Sequence, residues 1–158
     1  MLYFYTVNIM LPITSASNPP PLRFPLYASR VSAGFPSPAD DYLETQLDLN
    51  ELCVRHKEAT FFLWLQGDSM KNANMIDGDL LVVDRSIMPA HLDIVVAVVN
   101  AELVVKYLWK RRDEVKLVPA NEAYADIDIP AGSDLMVWGV VTHVVHSFGK
   151  SVRARRRK

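Results

Sequence analysis

Six runs of β-branched and aromatic residues recur along the chain beyond residue 59, and turn signals rich in Gly, Pro, Asp and Asn separate them. No stretch with helical spacing of apolar residues lies between these runs. The runs are Thr60–Leu65, Asp79–Asp84, Asp93–Val99, Leu103–Trp109, Val115–Val118 and Met136–His146. Strands at this spacing, without interleaved helices, predict a mostly β fold built as a compact antiparallel β domain.

One short helix is predicted ahead of these runs, in residues 48–54. Leu49, Leu52 and Cys53 fall on one face of such a helix. The Asp48 carboxylate can cap the helix by accepting the amide of Glu51.

The first 38 residues have a different pattern, because they contain seven of the ten prolines mixed with Ser, Thr and Asn. Proline removes a backbone donor and disfavours helix at the preceding residue. We therefore expect an extended N-terminal arm. Its scattered apolar residues, such as Leu22, Phe24 and Leu26, could still dock as a strand or an irregular segment.

Composition places the chain among ordinary single-domain proteins. It has 158 residues, half of them apolar, which excludes a wholly disordered or fibrous chain. The single cysteine, Cys53, cannot form an intramolecular disulfide and fits a reducing compartment. No apolar run approaches the roughly 20 residues that span a bilayer, and no basic residue precedes Arg23 as a secretory signal would require. We therefore expect a cytoplasmic protein without a membrane partner.

The formal net charge of -1 hides a strong asymmetry. Six of the 17 basic residues and none of the 18 acidic residues lie in residues 150–158, so the remainder carries a formal charge of 11 minus 18, or -7. A basic tail of this kind can contact DNA by neutralising phosphates. The alternative interpretation is a solvated terminus that only keeps the protein in solution.

Ser69 is a candidate nucleophile. It follows Gly67 and Asp68, where an apolar strand gives way to a turn, so its hydroxyl can lie at the end of the strand. Serine in this context is most often an ordinary turn or cap residue. It becomes a nucleophile only if a partner removes its proton.

The four histidines do not provide that partner by any sequence pattern. His56 and His91 lie in a charged segment and a proline turn, whereas His143 and His146 lie in the last strand on opposite faces. The last two make a poor metal pair because no cysteine or carboxylate cluster completes it. We interpret all four as surface or half-buried side chains, and we expect no metal or other cofactor.

Lys106 is a better candidate base. Strand alternation places it between Val104 and Leu108 on one face of its strand. If that face is covered, desolvation lowers the pKa of the lysine, and the resulting neutral amine can act as a general base for a serine hydroxyl. The alternative interpretation is an edge-strand lysine that discourages aggregation.

Five blocks of the sequence form a recognisable series: Ala33–Tyr42, Gly67–Met70, Asp77–Asp84, Val104–Lys106 and Val137–His143. Together they resemble one family, the UmuD-like SOS mutagenesis proteins among the LexA-type self-cleaving serine-lysine peptidases. The resemblance runs from about Phe24 to His146, in order and nearly without gaps. A single tetrapeptide is weak, but blocks in this order at matching separations are specific.

The resemblance implies that Ser69 is the nucleophile, that Lys106 is its base, and that the bond they cut is Ala33–Gly34 in the same chain. The small side chains at that bond, and the prolines that hold the next residues extended, suit a peptidase cleft. Three parts follow: an arm, 1–33, removed by self-cleavage; a LexA- or signal-peptidase-like β domain, 34–149; and a basic tail, 150–158. Lys71 adds a cation that either lowers the Lys106 pKa or faces water.

The resemblance also implies a role and partners. A RecA filament on single-stranded DNA would stimulate the cleavage, and the shortened homodimer would serve as accessory subunit of an error-prone Y-family polymerase of the UmuC-like kind. The residues before the cleavage site are too few and too rich in proline for the helix-turn-helix of a LexA repressor. A non-catalytic polymerase- or RecA-binding module with a silent dyad stays open. The catalytic hypothesis requires an uncharged Lys106 amine within hydrogen-bonding distance of the Ser69 hydroxyl across neighbouring strands.

Overall fold

A computed structural model describes residues 20–27, 43–112, 114–130, 133 and 135–148 of the chain. The described residues fall into two units, which we treat separately: one up to residue 55, and one from residue 56 onward. Every strand pair in the described residues is antiparallel. The predicted mostly antiparallel β fold is therefore confirmed.

The first unit is a two-stranded sheet and a helix. Strand β1 (Phe24–Tyr27) pairs with β2 (Leu43–Leu47), and helix α1 (Leu49–Cys53) follows directly. Asp48 caps α1 by accepting the amide of Asn50 at 2.8 Å, one residue before the amide that the sequence predicts. No residue of α1 is buried, and Leu49 and Leu52 are exposed.

The second unit is a seven-stranded sheet. Its strands are β3 (Thr60–Trp64), β4 (Leu80–Asp84), β5 (Ile94–Val99), β6 (Glu102–Arg111), β7 (Glu114–Val118), β8 (Ile127–Ile129) and β9 (Met136–Val145). They lie in the order β3-β4-β9-β5-β6-β7-β8, so that the last strand of the chain inserts between β4 and β5. Two short 3₁₀ turns, Lys57–Ala59 and Lys71–Ala73, complete the unit.

Two apolar clusters share the core of this unit. The first contains Leu65, Met70, Met75, Leu81, Val83 and Val96, and the second contains Val95, Ala97, Leu108, Leu117 and Val140. The alternation of β6 is as predicted, because Val105 and Tyr107 pack on the first cluster, whereas Val104 and Leu108 belong to the second. A lysine between the latter two residues therefore leaves its strand among apolar neighbours.

The sequence predicts β3–β7 and β9 to within two residues at each end and allows a docked strand at β1, but it misses β2 and β8. Strand β2 is missed because three consecutive polar residues, 44–46, interrupt any apolar alternation, and β8 is missed because it has only three residues. Within the described residues, no helix has the length and apolarity needed to cross a membrane.

Candidate active site

Ser69 lies in the loop that connects β3 with β4. Two backbone hydrogen bonds close the base of this loop: Leu65 N donates to Asp79 O, and Gly78 N donates to Leu65 O, both at 2.8 Å. Gly67 makes the turn before Ser69 with a φ of 89°, a conformation that suits glycine, and its amide donates to Asp77 Oδ1 at 2.8 Å. These hydrogen bonds hold the two ends of the loop together.

Two methionines fasten the loop to the core. Met70 and Met75 are each 1% exposed and belong to the first apolar cluster. Ser69 lies between the exposed Asp68 and the buried Met70, and it is itself half-buried. Burial of Met70 therefore limits how far the neighbouring hydroxyl can move.

Lys106, on β6, meets this hydroxyl directly. Its Nζ donates to Ser69 Oγ at 2.8 Å and to the carbonyl of Val105 at 3.0 Å. The residue is 8% exposed, so that its charged form loses most of its contact with water. No ion pair of Lys106 is present among the described residues.

Desolvation by burial lowers the pKa of Lys106 below the ordinary lysine value of 10.5. Lys71 is exposed and is not among the causes of this shift. Of the two sequence interpretations of Lys71, the one in which it faces water therefore fits the structure. The local environment favours a neutral amine at the position where a general base for Ser69 would be needed.

The strands that carry the two groups are not neighbours, and that part of the sequence expectation is wrong. Three strands, β4, β9 and β5, lie between β3 and β6 in the sheet order. Ser69 therefore reaches Lys106 from the loop after β3 and not from a strand adjacent to β6. The buried Met70 and Met75 hold the loop on this course.

Backbone donors are available beside the hydroxyl. In the described part of the chain, the amides of Ser69 and Met70 have no hydrogen-bond partner, whereas those of Lys71, Asn72 and Ala73 donate to backbone carbonyls. Amides beside a hydroxyl that have no partner in the described ranges could receive an oxyanion without first losing a hydrogen bond to those residues.

Two residues that contact Asp68, Asn121 and Tyr124, were not identified from the sequence as part of the site. Tyr124 Oη donates to Asp68 Oδ1 at 2.5 Å, and the buried Asn121 donates from Nδ2 to the Asp68 carbonyl at 3.0 Å. Asn121 and Tyr124 belong to the connection between β7 and β8, more than 50 positions from Asp68. No local pattern could signal a contact over this separation.

The histidines do not contact Ser69. His56 Nδ1 lies 2.6 Å from Asp84 Oδ2, and His146 Nδ1 lies 2.5 Å from Asp79 Oδ1. His91 Nδ1 accepts the amide of Lys110. The described residues contain no group of three His, Cys, Asp or Glu side chains able to hold a metal ion.

The predicted cleavage site, Ala33–Gly34, and the basic tail, residues 150–158, lie outside the described residues. Of the four predicted site residues, the structure therefore places Ser69 and Lys106, and it brings those two together.

A comparison with known families matches residues 25–142 to the model of the Peptidase S24-like family. The chain belongs to this family. The match covers β1 through most of β9 and includes the loop of Ser69 and the strand of Lys106.

Curated relatives agree with the family match. The chain is 47% identical to Protein MucA of Salmonella typhimurium over 120 residues, which are 75% of this chain and 82% of that protein. It is 41% identical to Protein SamA of Salmonella typhimurium over 87% of this chain and 96% of that protein. LexA repressor 1 of Geobacter sulfurreducens is 36% identical over 74% of this chain and 58% of the repressor. The resemblance to UmuD-like SOS mutagenesis proteins is thereby confirmed.

Proposed function

We propose that this chain is a self-cleaving serine-lysine peptidase of the SOS response, with Ser69 as nucleophile and Lys106 as general base. The observation that carries the proposal is the 2.8 Å contact between Ser69 Oγ and the buried Nζ of Lys106. A lysine with a lowered pKa beside a hydroxyl is the combination that activates serine without histidine. Membership in the Peptidase S24-like family supports the same chemistry.

In the proposed reaction, the neutral amine of Lys106 takes the hydroxyl proton as Ser69 Oγ bonds to the carbonyl carbon of Ala33. The tetrahedral intermediate collapses when the bond to the Gly34 nitrogen breaks, and Lys106 returns the proton to that nitrogen. Water, deprotonated by the same amine, then attacks the carbonyl carbon of the ester. The bond to Ser69 Oγ breaks, and Lys106 returns the proton to that oxygen, which restores the hydroxyl and the neutral amine. The products are residues 1–33 with a new carboxylate and residues 34–158 with a new amino group.

The free amides of Ser69 and Met70 are the proposed donors to the oxyanion. Neither amide donates to another group among the described residues, so the intermediate would not have to displace a hydrogen bond to them. In well-studied acyl-transfer enzymes, one such donor contributes about 2.7–4 kcal/mol to transition-state stabilisation.

The proposed cellular role follows from the UmuD-like relationship. A RecA filament on single-stranded DNA would raise the population of chains whose arm occupies the active site. The shortened protein would then act, as a homodimer in the cytoplasm, as accessory subunit of a Y-family translesion polymerase. Contact of the basic tail with DNA is a separate part of the proposal, and truncation at residue 149 would flatten the salt dependence of DNA binding if it is correct.

The test is incubation of the purified chain at alkaline pH, with and without a RecA filament, followed by mass spectrometry. We expect a product that begins at Gly34, and we expect Ser69→Ala and Lys106→Ala to abolish it. Ser133→Ala and Lys71→Ala are matched controls on exposed residues of the same types, and they should cleave like the wild type.

An intact chain under both conditions would contradict the proposal and favour the non-catalytic binding module. A product that persists in Ser69→Ala would point instead to a contaminating protease.

A further inference from the structure

We propose that Asn121 and Tyr124 are positioning residues that hold Asp68, and through it the Ser69 hydroxyl, within reach of Lys106. This inference rests on the proposed peptidase function and adds to it a second segment, the connection between β7 and β8. Neither residue touches the reacting atoms.

Asn121 and Tyr124 form hydrogen bonds with both the backbone and the side chain of Asp68. Asn121 Nδ2 donates to the Asp68 carbonyl at 3.0 Å and lies 3.4 Å from its Oδ2, and Tyr124 Oη donates to Oδ1 at 2.5 Å. A residue held in this way has little freedom to rotate, and Ser69 is bonded directly to it.

Asn121 is built to keep its place. It is 5% exposed, and its own Oδ1 accepts the amide of Ala123 at 3.1 Å, which fixes the direction of its Nδ2. The Asn72 amide donates to the carbonyl of Ala120, in the same connection, at 2.8 Å. Hydrogen bonds thus hold the loop of Ser69 on both sides of this residue, at positions 68 and 72.

The hydrogen bond between Tyr124 and Asp68 also shifts the pKa values of both side chains. The hydrogen bond from Tyr124 is the largest cause that lowers the pKa of Asp68, and Asp68 in turn raises the pKa of the tyrosine. Asp68 is not among the causes of the shift at Lys106. The hydrogen bonds at Asp68 are the interactions by which the proposal has this residue act on the loop.

These hydrogen bonds lie close to Ser69, where a small displacement of the hydroxyl would change the rate of the proposed reaction. Displacement of a reacting group by about 1 Å can reduce a rate about 100-fold. Without Asn121, the Asp68 carbonyl keeps only the amide of Lys71 as a donor, at 3.1 Å. We therefore expect Asn121→Ala to lower the plateau rate of alkaline self-cleavage about 10- to 100-fold.

The variants separate position from charge. Tyr124→Phe removes one hydroxyl from an exposed ring, and Asp68→Asn keeps an acceptor for that hydroxyl while it removes the charge. We expect Tyr124→Phe and Asp68→Ala to slow self-cleavage, Asp68→Asn to restore most of the rate lost in Asp68→Ala, and the pH midpoint to stay at the wild-type value in all of them. Glu122→Ala, an exposed neighbour in the same connection, is the matched control.

A second measurement does not depend on cleavage. In a Ser69→Ala background, amide hydrogen exchange by NMR reports on the Lys71 and Asn72 amides, which are bonded in the loop. We expect Asn121→Ala and Tyr124→Phe to accelerate exchange at these two amides while strand amides keep their protection.

The outcomes are distinct. If the wild type does not self-cleave, the proposed function fails, and the exchange data alone decide whether the loop is held as inferred. If the wild type cleaves and the variants match it in rate and exchange, the inference about Asn121 and Tyr124 is overturned and the dyad stands. A downward shift of the pH midpoint in Asp68→Asn would also overturn it, because that result assigns Asp68 an electrostatic role.

Discussion

Lys106 Nζ and Ser69 Oγ lie 2.8 Å apart, and the proton between them can belong to either group. As an ammonium, lysine only donates, and the hydroxyl must accept. As a neutral amine, lysine can accept, and the same contact then draws the proton from the hydroxyl. In the proposed peptidase only the second form would activate Ser69, so the protonation state of Lys106 would decide whether the site can react.

Self-cleavage should therefore depend on pH through Lys106. Burial lowers the pKa of Lys106 below 10.5. We therefore expect the rate to rise about tenfold per pH unit below this pKa and to reach a plateau above it, with the midpoint of the profile below pH 10.5. Initial rates at constant ionic strength, from about pH 6 to pH 10, measure this profile.

Lys106→Arg is the sharpest control for this profile, because arginine keeps the charge but does not deprotonate in proteins. It should be inactive throughout the range. A wild-type rate that stays constant with pH would contradict a lysine base.

Asp84 should make folding sensitive to acid. It is 3% exposed and accepts hydrogen bonds from the Ser86 amide and hydroxyl, and it lies 2.6 Å from His56 Nδ1. Burial by itself would raise the pKa of Asp84, but the hydrogen bonds of Ser86 and His56 outweigh it, and the pKa falls below 3.8. The folded state thus favours the carboxylate, whose stabilising effect is complete above the unfolded-state pKa and is lost as the pH falls through the lower, folded-state value.

Asp84→Asn is expected to lower the free energy of unfolding by about 1–3 kcal/mol at neutral pH, because one amide oxygen cannot replace two buried carboxylate oxygens. Urea unfolding at several pH values measures the loss, and the variant should lose less stability than the wild type below about pH 5. Asp128→Asn, at an exposed ion pair with Lys116, should change stability by less than about 1 kcal/mol. Equal losses in the two variants would contradict the role assigned to Asp84.

Most of the strands and the burial of Lys106 were predictable because both follow from local alternation. Lys106 stands between Val104 and Leu108, and the period of two in a strand is enough to place all three on one face. Asp48 likewise signals the start of α1 from its position alone, to within one residue of the amide that it caps.

What the sequence could not provide is the long-range pairing. The insertion of β9 between β4 and β5 depends on contacts between distant parts of the chain, and it separates β3 from β6. The course of the Ser69 loop depends on burial of Met70 and Met75, which no strand or helix period signals. Asn121 is recognisable only once its 53-position separation from Asp68 has been closed by folding.

Gly139 should be intolerant of any side chain. A Cβ at this position of β9 would lie 2.7 Å from Val83 Cγ1 and 3.1 Å from the Asp84 carbonyl oxygen on the adjacent β4. Such crowding in a packed core costs about 1–3 kcal/mol, so Gly139→Ala should lower the free energy of unfolding by that amount in urea titrations.

A double variant identifies the cause of the Gly139 effect. Val83→Ala removes the closest atom, so the two substitutions together should cost less than the sum of their separate effects. Gly67→Ala is the matched control: it has open space around the added Cβ but a φ of 89°, and its backbone strain should be the same with or without Val83→Ala. Additive losses for Gly139→Ala and Val83→Ala would mean that side-chain crowding is not the reason.

The proposed cleavage should leave the severed arm attached for a time. Strand β1 (Phe24–Tyr27) belongs to the released segment and β2 (Leu43–Leu47) to the product, yet the two strands are hydrogen-bonded. The Leu22 amide also donates to Asp48 Oδ2 at 2.9 Å, beside the cap of α1. Because Asp48 is 4% exposed and serves both contacts, Asp48→Ala should speed release of the peptide about tenfold, an effect of roughly 1.4 kcal/mol that is typical of a lost cap or buried hydrogen bond.

Size-exclusion chromatography of the cleaved protein, with mass spectrometry of the released peptide over time, measures this dissociation. Arg23→Ala is the matched comparison, because it removes an exposed ion pair with Glu51, at 2.8 Å, that also joins the two sides of the cut. Exposed pairs contribute about 0–1 kcal/mol, so release should be at most about fivefold faster in Arg23→Ala. If the peptide leaves the wild type as quickly as it leaves Asp48→Ala, the β1–β2 pairing does not hold the severed arm, and cutting alone is sufficient to free it.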